Sequence, residues 1–453
     1  MDNRKNILLY FTDQQRADTC GCYGQRLAIT PNLDALAAEG TRFAQAFTPQ
    51  PVCGPCRALF QTGKWPTDTG CFRNNIMLPS DVKTLGSYME EAGYETAYIG
   101  KWHLASDGEL EQKPRVDHTI TAIPKELRGG YTGFWRTSDV LEFTSHGYDG
   151  FVFDENNNRR DFKGYRVDCI TDFALEFFDQ YDGEKPFFMT ISHIEPHHQN
   201  DHHCYEGPAG SKEKYKEYDV PGDLAALGGN YATEYPDYLG QCASLDENLG
   251  RMIAKLKEKG LYDNTVIIYI SDHGSHFLTR NRDAHLNGYD DYKRSMHDAC
   301  LQVPFVISGG AFTGGGVFQD LVSTASLPKT ILGVAGVDVG DAMIGEDLAK
   351  VIHGQCPDRP NEVYVQISES RVGRAIRTAD YAYSVYAPGL DGGSYMDSDH
   401  YADDFLYDLK KDPYELNNLI EDHAYDSVKQ ELRQRLLWWI RQAEGKEPTI
   451  TDQ

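Results

Sequence analysis

The chain has 453 residues, 40% hydrophobic and 12% aromatic, enough to bury a large core, which excludes a disordered polypeptide. A formal net charge of −25 excludes a general nucleic-acid-binding surface and attraction to an anionic membrane, so an anionic substrate would have to be met by a local cluster of cations. No run of about eighteen apolar residues is present, so no transmembrane helix is expected, and the ten scattered cysteines read as reduced thiols rather than a disulfide framework or a zinc ribbon.

Basic residues at Arg4 and Lys5 precede a short apolar run, Ile7–Phe11, with no small-residue cleavage site after it. The segment therefore reads as a first buried strand, not a signal peptide, and predicts a cytoplasmic protein. The strand ends in Asp13-Gln14-Gln15-Arg16, where an open α/β sheet places its ligand crevice, although Asp13 could equally open a turn. Residues 30–40 carry a Thr cap, a first-turn Pro, helical spacing and a closing Gly. Next comes Pro51-Val52-Cys53-Gly54-Pro55-Cys56-Arg57, leading into a helical turn closed by Thr62-Gly63-Lys64. Pro55 suits the first turn of a helix, so Cys53 sits near a helix N-terminus that favours an anion, with Arg57 within reach. A buried cysteine with a capping arginine is the plainer reading of the same residues.

A helix at 85–92 and a strand at 95–99 follow, the strand running into Gly100-Lys101-Trp102-His103. Lys101 and His103 alternate onto one side. Residues 105–165 are polar and Gly-rich and read as loops over the crevice. A helix is predicted at 167–181 and a strand at 186–192, followed by His193-Ile194-Glu195-Pro196-His197-His198, either a metal cluster or a polar loop. An amphipathic helix at 245–259 leads to the clearest buried strand, 265–270, and to Ser271-Asp272-His273-Gly274. Asp13 and Asp272, each at the end of an apolar strand, make a pattern that assembles a hard cation site. Lys293 to Asp298 precede a strand at 303–307, and helical patterns fill 320–352. A Pro-rich boundary at 356–360 divides a domain at 1–355 from a C-terminal subdomain at 356–453, with alternating strands at 363–367 and 382–386 and a last helix at 426–444.

Cys-x-Pro-x-Arg followed by Thr-Gly-Lys, with Gly-Lys-Trp-His further on, resembles the two signatures of the sulfatase family, within the alkaline-phosphatase superfamily. The resemblance spans nearly the whole chain. It implies an α/β fold with a large mixed, mostly parallel sheet flanked by helices, and a smaller C-terminal α+β subdomain. In that family a maturase converts the cysteine to formylglycine, whose hydrate is the nucleophile. Carried over, Cys53 is the modified residue and Arg57 holds it. Lys101, His103, His197 and Lys293 form the sulfate pocket, with His103 as base and His197 as acid, while His193 and His198 are weaker candidates. Asp13, Gln14, Cys53, Asp272 and His273 hold one divalent ion, calcium by the family pattern. His297 and Asp298 read as support, and Arg73, Asn74 and Arg371 as substrate contacts.

This chain departs from the commonest pattern at Cys56, where serine is usual, and at Gln14 and His273, where Asp and Asn are usual. The Gln/His version looks more like the branch containing choline sulfatases and phosphonate monoester hydrolases, and an imidazole ligand suits manganese better than calcium. The expected activity is hydrolysis of a carbohydrate or aryl sulfate ester. Hydrolysis of phosphonate monoesters or phosphodiesters on the same scaffold, and silent binding of sulfated ligands by an unmodified Cys53, are the alternatives.

Overall fold

The computed structural model describes residues 4–108, 115–280 and 292–452. Its centre is β1 (Asn6–Thr12), all seven residues buried, between β8 (Phe187–Ser192) and β9 (Thr265–Ser271). Successive side chains alternate between two apolar layers. Ile7, Leu9 and Phe11 join Ile268 and Ile270 in one, while Leu8 and Tyr10 join Ile267, Tyr269 and Ile191 in the other. Burial on both faces is why these strands read as continuous apolar runs. Each fully buried aliphatic side chain contributes about 1.5–3 kcal/mol.

The large sheet also contains β2 (Thr41–Phe47), β3 (Glu95–Lys101), β4 (Phe134–Ser138), β5 (Ser145–His146), β6 (Asp149–Asp154), β7 (Arg159–Lys163), β10 (Phe305–Ser308) and β11 (Gly316–Ser323). Its order is β11-β2-β10-β9-β1-β8-β3-β4-β6-β5, with β7 on β6. The five central strands, β9 to β4 in that order, are parallel, and β10 and the β5–β7 group add antiparallel margins. Helices Pro31–Glu39, Arg166–Gln180 and Tyr231–Glu258 cover the Tyr10 side. Helices Cys53–Thr62, Leu85–Glu91 and Leu327–Val334 cover the Phe11 side. A second sheet, β12 (Glu362–Ile367), β13 (Gly373–Thr378), β14 (Tyr381–Tyr386), β15 (His400–Asp408) and β16 (Thr449–Thr451), is antiparallel except for β15–β16. Its closing helix, Asp426–Glu444, buries Leu432, Leu436, Ile440 and Ala443 in the same core layer as Phe11 and Leu59.

Three expectations are corrected. Residues 105–165 are not only loops: β4 to β7 lie there, and all five residues of β4 are buried. Residues 109–114 of that stretch lie outside the described residues. The helix expected at 245–259 starts fourteen residues earlier, at Tyr231, and carries Pro236 in its second turn. The helical patterns expected over 320–352 do not begin at 320: β11 runs to Ser323, pairs in parallel with β2 and forms the sheet's edge, where a mixed polar strand with an exposed side is expected.

Candidate active site

Parallel register brings the strand ends together. Thr12 lies opposite Ser271, and Ser192 lies opposite both Phe11 and Gly100, so the residues that follow β1, β9 and β8 and the end of β3 converge at one edge. Gly100 is required there: its φ is +101° and a Cβ would lie 2.0 Å from the Ser192 carbonyl oxygen. Asp13, Cys53, Asp272 and His273 are all buried, with potential ligand atoms within 4.8 Å of one another.

Asp272 Oδ1 accepts from the backbone N–H of Gln14 (3.0 Å) and of His273 (2.8 Å), while its buried Oδ2 has no hydrogen-bond partner. His273 Nδ1 faces the Gly274 carbonyl at 3.0 Å, which places the proton on Nδ1 and turns the Nε2 lone pair toward Asp13 Oδ1 and Asp272 Oδ1, each 3.7 Å away. Gln14 Nε2 donates to the Tyr205 hydroxyl (2.9 Å) and Ser275 Oγ (3.3 Å), leaving Oε1 turned inward. Two carboxylates, an imidazole and an amide oxygen fit a divalent cation. Electrostatics agree. Burial and the neighbouring Asp13 raise the Asp272 carboxyl to about 7, the behaviour of a repelled carboxylate short of positive charge. Asp13 is equally buried, but the Lys101 and Arg57 cations beside it outweigh desolvation and hold it well below the usual carboxylate range.

Cys53 begins the helix Cys53–Thr62, every residue of which is buried. Its thiol donates to Asp13 Oδ1 (3.4 Å) and lies 3.2 Å from His273 Nε2 and 3.3 Å from Lys293 Nζ. Burial, then Asp13, pushes it up to about 11, so an unmodified Cys53 is a neutral thiol rather than a thiolate. Arg57, one turn on, is clamped by the Lys101 carbonyl (2.9 Å), Ser192 Oγ (2.7 Å) and Asp13 Oδ2 (2.9 Å), and its guanidinium lies 4.7 Å over the Phe11 ring. Lys101 Nζ donates to the same Asp13 oxygen at 2.7 Å. Arg57, Lys101 and Lys293 thus form a local cationic cluster in a strongly acidic protein. His197 Nδ1 faces the His198 carbonyl at 2.5 Å, and its Nε2 accepts from Lys293 Nζ at 2.7 Å. Burial, then Lys293, holds its pKa well below the ordinary value, so the imidazole is neutral. His103 has a φ of +61° and a buried Nδ1 with no partner; burial, then Lys101, keeps it neutral.

Residues 5–337 match the family model described as Sulfatase, and residues 287–442 match one described as N-sulphoglucosamine sulphohydrolase, C-terminal. The chain belongs to the sulfatase family. It is 29% identical to an ulvan-active sulfatase of Formosa agariphila over 96% of this chain and 80% of that protein. Against an N-acetylglucosamine-6-O-sulfatase of Bacteroides thetaiotaomicron it is 27% identical, covering 98% and 88%. Its fold matches a putative sulfatase of Bacteroides fragilis with a TM-score of 0.80 at 22% identity, covering 98% and 97% of the two chains. It also matches a phosphonate monoester hydrolase of Silicibacter pomeroyi with a TM-score of 0.73 at 20% identity, covering 97% and 96%. The mixed α/β core and the added C-terminal sheet are the architecture of these solved sulfatase structures.

Within this sulfatase the remaining named residues divide by what they touch. Asn74 Oδ1 accepts from the N–H of Gly54 (2.8 Å), so it caps the helix that carries Cys53. Arg73 Nη1 donates to the Asn74 carbonyl at 2.9 Å. Arg371 pairs with buried Asp404 in the second sheet, and its Nη2 is buried without a hydrogen-bond partner. Cys56 points behind the site, its thiol 3.4 Å from the Asp272 carbonyl. His193 is not in the cluster: its ring packs 4.9 Å from Tyr10, on the opposite side of the sheet. His198 stacks on Tyr292 at 4.4 Å. His297 bonds Ser295 and the Tyr407 hydroxyl, and Asp298 pairs with Arg377, a supporting arrangement. Ser192 and Glu369 escape the sequence reading. Ser192 clamps Arg57, and Glu369 accepts from the Asn74 N–H at 2.6 Å and from Arg294, tying the second sheet to the Cys53 helix. Ser192 ends a predicted strand, a signal that could have found it; Glu369 has no local signal.

Proposed function

We propose that this sulfatase cleaves the sulfate ester of a carbohydrate, with Cys53 converted to formylglycine by a maturase and one divalent ion held by Asp13, Gln14, Asp272 and His273. The carbohydrate class is supported by the relatives named above, which act on ulvan and on N-acetylglucosamine sulfate. The observation that carries the reading is the position of Cys53, buried at a helix N-terminus within 3.4 Å of Asp13, His273 and Lys293. A neutral thiol at that point is a poor nucleophile toward sulfur; as formylglycine the residue would supply a hydrated aldehyde, with one hydroxyl to attack and a second to release sulfate. The divalent ion, calcium or manganese, would supply Lewis-acid charge against the ester oxygens and lower the pKa of the attacking hydroxyl.

The protein's own groups do the rest. Arg57, Lys101 and Lys293 neutralise charge on the transferring group from fixed positions in a water-poor site. Asp13 holds two of them in place by ion pairs to Arg57 and Lys101. His103, neutral with a lone pair to offer, takes a proton, and His197 delivers one from Lys293 to the leaving oxygen. Peptide mass analysis around Cys53, on protein co-produced with a maturase, tests the modification. The mass change of thiol-to-aldehyde conversion with sulfate release from sulfated saccharides is expected. An intact thiol under those conditions would overturn the covalent route and favour silent binding.

A second reading, hydrolysis of phosphonate monoesters or phosphodiesters, is favoured by one feature: Gln14 and His273 at the metal group. Rates on aryl sulfate and aryl phosphonate measured side by side separate the two. A higher kcat/KM on the phosphonate would transfer the assignment to phosphorus.

A further inference from the structure

A second cluster of metal-ligating side chains stands apart from the Cys53 site. His146, on β5, and Asp201 and His202, on the loop that follows His197, offer ligand atoms within 4.8 Å of one another. His146 Nε2 lies 2.8 Å from Asp201 Oδ2. The His146 and His202 rings are parallel, 6° apart in plane and 4.1 Å between centroids.

The partners around the cluster orient it. Glu206 Oε1 lies 2.5 Å from His202 Nδ1, and its Oε2 accepts from the Gly147 N–H at 2.6 Å. A carboxylate on Nδ1 keeps a proton there and leaves Nε2 to face a cation, which competes with a second proton because the Glu206 hydrogen bond raises the His202 pKa. Asp201 Oδ1 accepts from Gln199 Nε2 (2.8 Å), and Gln199 Oε1 in turn accepts from Arg166 Nη1 (3.2 Å), a side chain buried against Glu195. The ligands are therefore accessible, but their bases are fixed to the interior.

We propose that His146, Asp201 and His202 bind a divalent transition metal ion of the zinc class, which staples the loop carrying His197 to the β5–β6 hairpin. Two nitrogens and one carboxylate select zinc or cobalt over calcium, in contrast to the oxygen-rich group at Asp272. A tetrahedral zinc has ligand–ligand edges of about 3.4 Å, which the two exposed rings reach by turning out of their parallel stack so that their in-plane lone pairs converge. The His146–Asp201 contact becomes one edge of the coordination shell. Three protein ligands leave a fourth position for water. Because Asp201 lies four residues after His197, ordering the first orders the second. This inference does not depend on the fate of Cys53.

The test is equilibrium dialysis of Zn2+ against untagged protein in saturating Ca2+, comparing wild type with the doubly substituted His146→Ala, His202→Ala protein. The wild type is expected to bind one more equivalent than the double variant. Both side chains are more than 40% exposed, so the variant folds. Asp201→Asn is expected to weaken that equivalent at least tenfold, and Glu213→Gln, at an exposed carboxylate elsewhere, to leave it unchanged. Equal stoichiometry in wild type and double variant overturns the site. Hydrogen exchange at residues 145–149 and 197–206 is expected to slow when Zn2+ binds; bound zinc with unchanged exchange overturns the staple.

Discussion

Two clusters of the same ligand types occupy this molecule in opposite settings. Asp13, Cys53, Asp272 and His273 are gathered from strand ends and a helix start and are closed off from water, so a charge there depends on its protein neighbours: Asp13 is held ionised by Arg57 and Lys101, while Asp272 beside it is raised toward its neutral form. His146, Asp201 and His202 sit on a hairpin and a loop with one side in solvent, and water answers whatever the protein does not. Burial is therefore what couples chemistry to stability. In the first cluster a single substitution changes the ionisation of several neighbours; in the second it changes a binding constant and little else.

The largest break in the contrast is Cys53→Ala, which removes the proposed nucleophile, a side chain that carries no charge. Turnover of sulfate esters should vanish while circular dichroism and the thermal transition stay those of the parent, and retained turnover would eliminate covalent catalysis. His197→Ala comes next. Loss of the group between Lys293 and the leaving oxygen should lower kcat by about 10²–10⁴-fold on saccharide sulfates, and by less on aryl sulfates with good leaving groups. An equal loss on both substrate types would show that His197 does not protonate the leaving group.

Asp13→Ala strands Arg57 and Lys101 as uncompensated buried cations. A stability loss of about 3–5 kcal/mol is expected from urea denaturation. Asp272→Asn should do the reverse in protein stripped with chelator, because it removes the carboxylate that Asp13 repels. The pH dependence separates the two aspartates further. The Asp272 pKa is raised in the fold from 3.8 to about 7, so its contribution to stability is full below pH 3.8 and is lost as pH rises through 7. The Asp13 pKa is lowered in the fold, so its contribution is present above pH 3.8 and is lost only on further acidification. Stripped wild-type protein should therefore lose stability between pH 4 and 7, and that slope should be absent in Asp272→Asn. A slope common to both proteins would place its origin elsewhere.

The smallest effect belongs to the exposed cluster. In chelator, His202→Ala should change the unfolding free energy by no more than about 0.5 kcal/mol, the range of surface substitutions. A loss as large as that of Asp13→Ala would mean that the two clusters differ less than their exposure indicates.

The strands at 7–11, 95–99, 186–192 and 265–270 were legible because a strand buried on both faces must be apolar throughout, and polar residues just past such runs fall at the crevice. That is why Asp13 and Asp272, and the Lys101/His103 pair, could be placed at strand ends from the pattern, while the family resemblance gave them their roles and added Cys53, Arg57, His197 and Lys293. β4 was missed because Phe134-Trp135-Arg136-Thr137-Ser138 mixes polar and aromatic residues, and its burial depends on β3 lying alongside. The start of the helix Tyr231–Glu258 was hidden by Pro236 and a polar first turn. The choice among His193, His197 and His198 was tertiary as well: His193 turns to the Tyr10 layer and the other two turn away from it. Only the assembled fold could show that Asn74 caps the Cys53 helix, that Glu369 braces it from the second sheet, and that His146 meets His202 across fifty-odd residues of chain. Apolar periodicity is a local property, set by the layer that each residue faces. Hydrogen bonds between distant loops are set by how whole layers pack, and no window of sequence contains both partners.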